Sequence, residues 1–329
     1  MNEDIGLDMG AGNFKLFCNA GGIVLASQAA MAGEVMTASV EGLRSETPPL
    51  RIRTNGHQYY VGLGSHSWGR PAENLDDTRF AAGSPELYAL TLAIFEHKAR
   101  TYGQETRDAT VWVGLPQSAN GRDTAASLRG WLRGEHRYWA AWDGKDEVER
   151  VVTIEEVGAT SQIVGALYDA ILDDHGQFTA DGKALYKKEV VIISIGMSTL
   201  EMAVIECGHI NHHFTMSETS GVRRLLDLVD PQALYSRGEL DTKFREGRLD
   251  VGNAMQAWES EIVGKIENKL GKARRRFAAA LCVGWGVVPL QNTLTMLFSG
   301  KTRYTNDPVM AIARGLHKWG LLKDSRKRG

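Results

Sequence analysis

Cysteine is scarce in this chain of 329 residues: Cys18, Cys207 and Cys282 are all there are, widely spaced and odd in number. No pair has the Cys-x-x-Cys spacing of a compact zinc site, and the set reads as reduced, buried thiols of a cytosolic protein. No apolar run approaches the ~18 residues of a membrane-spanning helix. The opening Met1-Asn2-Glu3-Asp4 carries acids where a secretory leader needs a basic stretch and an apolar run, so a cytoplasmic location is expected. Neither sign of charge dominates, with 38 Lys+Arg against 40 Asp+Glu. Bulk attraction to a membrane or to nucleic acid is therefore not expected, nor is direct sequence-specific nucleic-acid binding. With 43% hydrophobic residues and only 8 prolines, the composition excludes wholesale disorder and collagen-like repeats.

Glycine, by contrast, is abundant at 36 residues, above the usual share of about 7%, so tight turns and close backbone approaches should matter. The length favours two domains, each able to bury a core. Residues 4–8 and 14–18 read as strands joined by the turn Met9-Gly10-Ala11-Gly12-Asn13, with a third strand at 22–25. Residues 50–53 and 59–62 flank Asn55-Gly56, a favoured two-residue hairpin turn. Residues 64–83 read as loop. Ser84-Pro85-Glu86 begins a helix with a capping hydroxyl, a first-turn proline and an acid. Residues 110–116 form a short buried strand and 121–133 a helix. A strand at 151–154 is followed by a helix expected over 157–169 and a polar break over 174–187. A second strand–turn–strand then spans 189–205. Helices are expected at 221–229 and 253–276, the latter with Ile262, Ile266 and Leu270 on one stripe. A strand at 279–283 leads into Gly284-Trp285-Gly286, helical residues follow Pro289, and Asp307-Pro308 opens a closing helix to about 320. The basic tail from Lys323 to Arg328 reads as a solvated, frayed end, or as a contact with DNA or a partner.

Two glycine hairpins about 186 residues apart each open a similar run, the pattern of an internal duplication. Two such halves facing each other leave a cleft with one hairpin on each wall. A glycine hairpin brings backbone N–H groups close to a phosphate. The first also carries Asp8 and Lys15: the lysine can neutralise phosphate charge, and the aspartate can hold the waters of a hydrated Mg²⁺. The plainer alternative is a glycine hairpin with a surface lysine. The second, around Gly196, Met197, Ser198 and Thr199, offers hydroxyls and no lysine. Gly284-Trp285-Gly286 could pack a base or ribose, or be an ordinary turn after a strand. Glu155 and Glu156 stand where a strand is expected to meet a helix. One of them could orient water for attack on a phosphate, or both could simply stabilise a helix start. His209, His212 and His213 read as a solvated strand end. Arg274-Arg275-Arg276 reads as a solvated helix face, with contact to a polymer or partner as the alternative.

In this order the motifs resemble the superfamily of actin, the seventy-kilodalton heat-shock proteins and sugar kinases. Asp8, Gly10 and Lys15 match its first phosphate pattern. Residues 155–159 are similar to the first connecting motif, a register that selects Glu155, with Glu156 as fallback. Residues 194–201 resemble the second phosphate motif and 281–286 the adenosine motif. Within the superfamily the chain most resembles the ParM-like bacterial and archaeal actins, through Val113-Gly114-Leu115-Pro116 and the closing segment from Asp307 to Gly315. The likeness covers nearly the whole chain. It departs at Ser194, where the second phosphate motif normally begins with Asp; at Glu201, where many relatives have Asp; and at Trp285, in place of a glycine.

The resemblance implies an α/β fold, duplicated, actin-like (ribonuclease H-like), with two lobes around a central nucleotide cleft. Lobe I would hold residues 1–160 plus 307–329, and lobe II residues 161–306. It implies ATP or GTP with Mg²⁺ held by Asp8 through water. The nucleotide would lie on Gly10, Ala11, Gly12, Asn13 and Lys15, on Gly196, Met197, Ser198 and Thr199, and on Gly284, Trp285 and Gly286, with Glu155, Asp8 and Glu156 as the catalytic groups. It further implies head-to-tail filaments, slow hydrolysis controlling their stability, and DNA segregation, such as of a plasmid, through a DNA-binding adaptor protein. A small-molecule kinase of the same superfamily and a nucleotide-binding scaffold with little hydrolysis are the rival readings. A heat-shock chaperone is disfavoured, since no peptide-binding domain follows.

Overall fold

A computed structural model describes residues 3–33, 47–72, 83–117 and 121–328. The chain opens as a meander of β1 (Glu3–Met9), β2 (Asn13–Cys18) and β3 (Gly21–Ala26), then β4 (Ala29–Met31). The hairpin of β5 (Leu50–Thr54) and β6 (His57–Val61) turns at Asn55 and Gly56, both with positive φ, as such a turn requires. After a 3₁₀ turn over Ser65–Ser67 and the short β7 (Arg70–Pro71), helix α1 (Pro85–Tyr102) starts where Ser84 Oγ accepts from Leu87 N. Strand β8 (Ala109–Leu115), α2 (Arg122–Leu132), β9 (Gly134–Ala141) and β10 (Val148–Ser161) complete the first half.

Helix α3 (Gln162–Ile171) crosses to the second half: α4 (Ala180–Tyr186), β11 (Glu189–Ile195), β12 (Leu200–Glu206) and β13 (His209–Glu218), then α5 (Val222–Val229), α6 (Arg237–Arg245) and α7 (Gly252–Leu270). A 3₁₀ stretch over Gly271–Arg275, β14 (Ala279–Val283), α8 (Gln291–Leu297) and β15 (Thr302–Arg303) lead to α9 (Ala311–Arg328).

The duplication is visible in the topology. One sheet contains the order β3-β2-β1-β8-β10 and the other reads β13-β12-β11-β14-β15. In each, the first three strands are antiparallel neighbours, and the next two lie parallel to the first. The register matches too: Asp8 faces Lys15 across the first hairpin, as Ser194 faces Glu201 across the second. The first sheet continues through β9, β5, β6, β4 and β7.

Three apolar cores hold this together. One lies between the first sheet and helices α1 and α2. A second covers the outer face of the second sheet, where Trp258, Ile262, Ile266 and Leu270 of α7 are buried. The third joins the two sheets through α3 and α9, burying Ile163, Ile312 and Leu316 against Trp112, Ile192 and Leu281. These helices touch at backbone distance: a Cβ on Gly315 would stand 1.8 Å from Gly165 O, so no larger side chain fits.

The structure departs from sequence expectation in identifiable ways. Residues 157–161 are strand, not helix, because β10 pairs in parallel with β8 as far as Ser161 opposite Leu115. Tertiary pairing overrides the local helical spacing there, and the helix starts only at Gln162. Strand β9 was not foreseen, and the polar break at 174–187 contains α4, capped by Thr179 Oγ1 accepting from Gly182 N. The closing helix runs to Arg328, well past its expected end. Most of the expected 64–83 loop beyond Ala72 lies outside the described residues. Cys18 and Cys282 are buried as expected, but Cys207 is exposed. No helix among the described residues is long and apolar enough to cross a membrane.

Candidate functional site

The turns of the two equivalent hairpins face each other across a cleft that opens to solvent. Each turn is closed by one backbone bond, Gly10 N to Asn13 O (3.1 Å) and Gly196 N to Thr199 O (2.9 Å). The N–H groups of Ala11, Gly12, Met197 and Ser198 donate to no backbone acceptor among the described residues. Ser198 Oγ, on the same wall, is buried without a hydrogen-bond partner among the described residues. A Cβ on Gly12 would stand 2.7 Å from Met197 Cβ, so the hairpins approach closely enough for both to serve one ligand. Paired glycine turns with idle donors fit a phosphate chain.

At the base of the first hairpin lies a buried polar trio. Lys15 Nζ donates to Asp8 Oδ2 at 2.6 Å, and Gln162 Nε2 donates to Asp8 Oδ1 at 2.8 Å. Strand pairing places the lysine opposite the aspartate, and the start of α3 presents Gln162 to it. Ser161 Oγ accepts from Ile163 N at that helix start. All three side chains line the cleft.

Of the residues expected to bind nucleotide, Gly10, Ala11, Gly12, Asn13 and Lys15 line one wall, Gly196, Met197, Ser198 and Thr199 the opposite wall, and Gly284 and Trp285 the far end. Gly286 does not line the cleft: a Cβ there would stand 2.4 Å from Ile195 Cγ2, which makes it a packing glycine beneath the hairpin. Glu155 and Glu156 do not line it either. They are exposed on β10, at a bulge between Ile154 and Glu156. The strand's continuation to Ser161 moves the cleft-facing position on to Gln162. The expected metal ligand Asp8 faces the cleft, and no group of three or more His, Cys, Asp or Glu that could hold a metal occurs among the described residues. A hydrated Mg²⁺ held by one carboxylate and by substrate phosphates suits such a donor set.

Ser194 also lines the cleft. Its cross-strand partner Glu201 is buried, and Glu201 Oε1 accepts from Gln117 N at 2.8 Å, tying the second hairpin to the chain just after Pro116. Trp285 stays in the cleft with its ring edge-on to Phe244, centroids 5.0 Å apart. The two rings form an aromatic corner beside Gly284.

Sequence reasoning missed the contribution of α6. Arg245 reaches across from the second half: its Nη1 donates to Asn13 Oδ1 (2.8 Å), its Nη2 to Gly12 O (2.9 Å), and its Nε to Asp241 Oδ1 (2.8 Å). Asp241 Oδ2 in turn accepts from Gln28 Nε2 at 2.8 Å. This is a polar latch between the halves. No local pattern in 237–245 marks it, since its partners lie more than 200 residues away. Gln162 had a signal in the Ser161 cap before an apolar run.

Residues 6–165 match the family of actin-like protein N-terminal domains. The sequence matches no curated protein. The whole chain superimposes on solved structures. The apo ParM of pSK41 has a TM-score of 0.72 at 16% identity, covering 99% of both chains. A ParM from a 15-stranded filament of Clostridium botulinum has a TM-score of 0.74 at 17% identity, covering 97% of this chain and 99% of that one. The archaeal actin homologue Ta0583, in complex with ADP, has a TM-score of 0.69 at 17% identity, covering 99% and 100%. The chain has an actin-like fold of the ParM type, two lobes around a central cleft.

Proposed function

We propose that this chain of actin-like fold binds ATP or GTP with Mg²⁺ between its two glycine hairpins and assembles head to tail into filaments whose lifetime depends on the bound nucleotide. The observation that carries this reading is the facing pair of hairpin turns with idle backbone donors, backed by the buried Asp8–Lys15–Gln162 trio. That a structural relative was solved with ADP and another as a filament supports it.

In this reading the N–H groups of both turns hold the phosphates, and Lys15 exchanges its bond with Asp8 for one with a phosphate oxygen. Asp8 then holds water on the cation side. Mg²⁺, when bound, supplies charge neutralisation of the phosphates. Gln162, a neutral amide on the Asp8 side, orients the attacking water rather than taking its proton. This assigns to Gln162 the role expected of Glu155. Trp285 and Phe244 give the base an aromatic wall. The nucleotide would set the angle between the halves through the hairpins, and so favour or disfavour the filament.

Ser194 favours a second reading, a nucleotide-gated scaffold that hydrolyses little. Where an acid would help hold the metal or water, a hydroxyl stands. Removing a single hydrogen-bond donor from an oxyanion hole costs about 2.7–4 kcal/mol of transition-state stabilisation, a scale on which one missing group at the reacting phosphate slows hydrolysis markedly. The cellular task in the main reading is DNA segregation, such as of a plasmid, through a DNA-binding adaptor protein, in the cytoplasm. Light scattering and phosphate release followed together with Mg²⁺ and ATP or GTP, with negative-stain microscopy, test the proposal. Scattering that rises and then falls with phosphate release supports it. Filaments without phosphate release select the scaffold, and Ser194→Asp should then raise the rate. No filaments with either nucleotide refute the polymer.

A further inference from the structure

A second cavity lies beside the cleft. Ala11 and Met197, in the two hairpin turns, line both, and so does Asp241 of the latch. This second cavity spans the two halves. On the first-half side it is lined by the 3₁₀ turn that begins at Ser65, and on the second-half side by α5 and α6. The two sides meet where a Cβ on Gly238 would stand 3.2 Å from His66 Cβ.

The turn brings to this cavity two polar atoms with no hydrogen-bond partner among the described residues. Ser65 is 1% exposed and its Oγ is unpaired; His66 Nδ1, next in the chain, is buried and unpaired as well. A buried polar group without a partner is costly and calls for one. The opposite side supplies Arg223, Asp227 and Arg237. Both arginines also interact within the protein, but each guanidinium has several donors to distribute. Two arginines stand against Asp227, and Asp241 is already paired with Arg245, so positive charge is in excess. A guanidinium only donates, and a seryl hydroxyl and an imidazole N–H donate too, so the lining suits a ligand rich in acceptors. A phosphate group meets guanidiniums through paired hydrogen bonds.

We propose that this cavity binds a phosphate group, held by Ser65, His66 and the arginines across from them, and that the bound anion ties the two halves together. The path from there to the cleft is continuous. Gln28 Oε1 accepts from Gly64 N at 3.2 Å, which fixes the turn, and Gln28 Nε2 donates to Asp241 Oδ2 at 2.8 Å, which joins it to the latch. Asp241 accepts from Arg245, which reaches Gly12 and Asn13 of the first hairpin. An anion joining the turn to α5 and α6 therefore stabilises the latch and slows nucleotide release. The site stands on its own lining; its effect on release rests on the nucleotide reading above.

The test is equilibrium dialysis of radiolabelled inorganic phosphate, and of glycerol phosphate as a phosphomonoester, against the full chain. The chain is saturated with Mg²⁺ and a non-hydrolysable ATP or GTP analogue, which fills the cleft through the third phosphate. Binding is expected, and the tighter of the two probes tells free phosphate from a carried one. Ser65→Ala, which deletes an unpaired hydroxyl and spares the fold, should weaken it about tenfold. Ser65→Ala/Arg237→Gln should weaken it about 100-fold. In a chase experiment, saturating phosphate should slow nucleotide release about tenfold in wild type and leave Arg245→Ala, which lacks the latch, unaffected. Failure of both probes to bind, or unchanged affinity in Ser65→Ala, overturns the site. Phosphate that binds beside ADP or GDP but is displaced by the triphosphate analogue lies in the cleft itself, which also overturns the site. Bound phosphate with no effect on release overturns the coupling through the latch. Phosphate binding that Ser65→Ala weakens, in a chain that binds no nucleotide, keeps the site and overturns the nucleotide reading.

Discussion

Replacing Lys15 by methionine separates the structural from the ligand-binding role of the buried trio. Lys15 Nζ lies 2.6 Å from Asp8 Oδ2, with the two side chains 10% and 1% exposed. Removing one member of so buried a pair leaves the other charge with a single amide donor, from Gln162. Such losses cost about 3–5 kcal/mol, whereas replacing both members by neutral groups of similar size is close to neutral. At roughly 2–4 °C per kcal/mol, Lys15→Met should lower Tm by at least about 6 °C. The double variant Asp8→Asn/Lys15→Met should recover most of that. Nucleotide affinity should not recover. A lysine–phosphate bond is worth about 1.5–3 kcal/mol, so both variants should bind about 10- to 100-fold more weakly. Thermal denaturation and equilibrium titration with a fluorescent nucleotide give the two readings. Wild-type affinity in Lys15→Met, or recovery of affinity with stability in the double variant, would refute the reasoning.

Gln162→Ala should slow phosphate release about 10- to 100-fold with little change in affinity, while Glu155→Ala and Glu156→Ala, outside the cleft, should change neither; the reverse ranking in single-turnover assays sinks the assignment. Arg245→Ala removes the latch bonds to Asn13, Gly12 and Asp241 and should speed nucleotide release about tenfold in a chase experiment; an unchanged release rate contradicts a gating role. Acid should destabilise the fold. Burial holds the His97 imidazole down at about 4 from the ordinary 6.5, and burial also lowers His136 and His317. The unfolded chain takes up protons that these folded histidines refuse, so stability is fullest above about pH 6.5 and falls below it; His97 alone accounts for a loss of up to about 1.4 kcal/mol per pH unit as pH drops toward 4, and His136 and His317 act in the same direction. Urea midpoints across that window check this, and His97→Phe, which keeps an edge-on ring against Trp142, should flatten the slope; a midpoint that rises on acidification contradicts it.

The sequence made the duplicated hairpins legible because their signal is local: glycines, alternation and a lysine at fixed spacing. It could not place Gln162, since the 157–161 segment has helical spacing on its own and becomes strand only by pairing with β8. The register of the connecting motif selects Glu155, seven residues before Gln162 and on the strand that leads into it. The α6 latch was invisible because Arg245 meets its partners only after the halves fold together. Gly286 looked like a ligand glycine, whereas its bare Cα serves the packing of Ile195. Trp285, in place of a glycine, keeps its ring in the cleft, edge-on to Phe244, a placement set by a residue 41 positions away in the chain.

Amide hydrogen exchange of the intact chain with and without ATP or GTP and Mg²⁺ tests the central claim most directly. The account predicts slowed exchange at residues 8–15, 194–199 and 284–285 together, at nucleotide concentrations matching the measured affinity. Protection confined to one hairpin, or none at either with nucleotide in excess, would contradict a nucleotide held between the two.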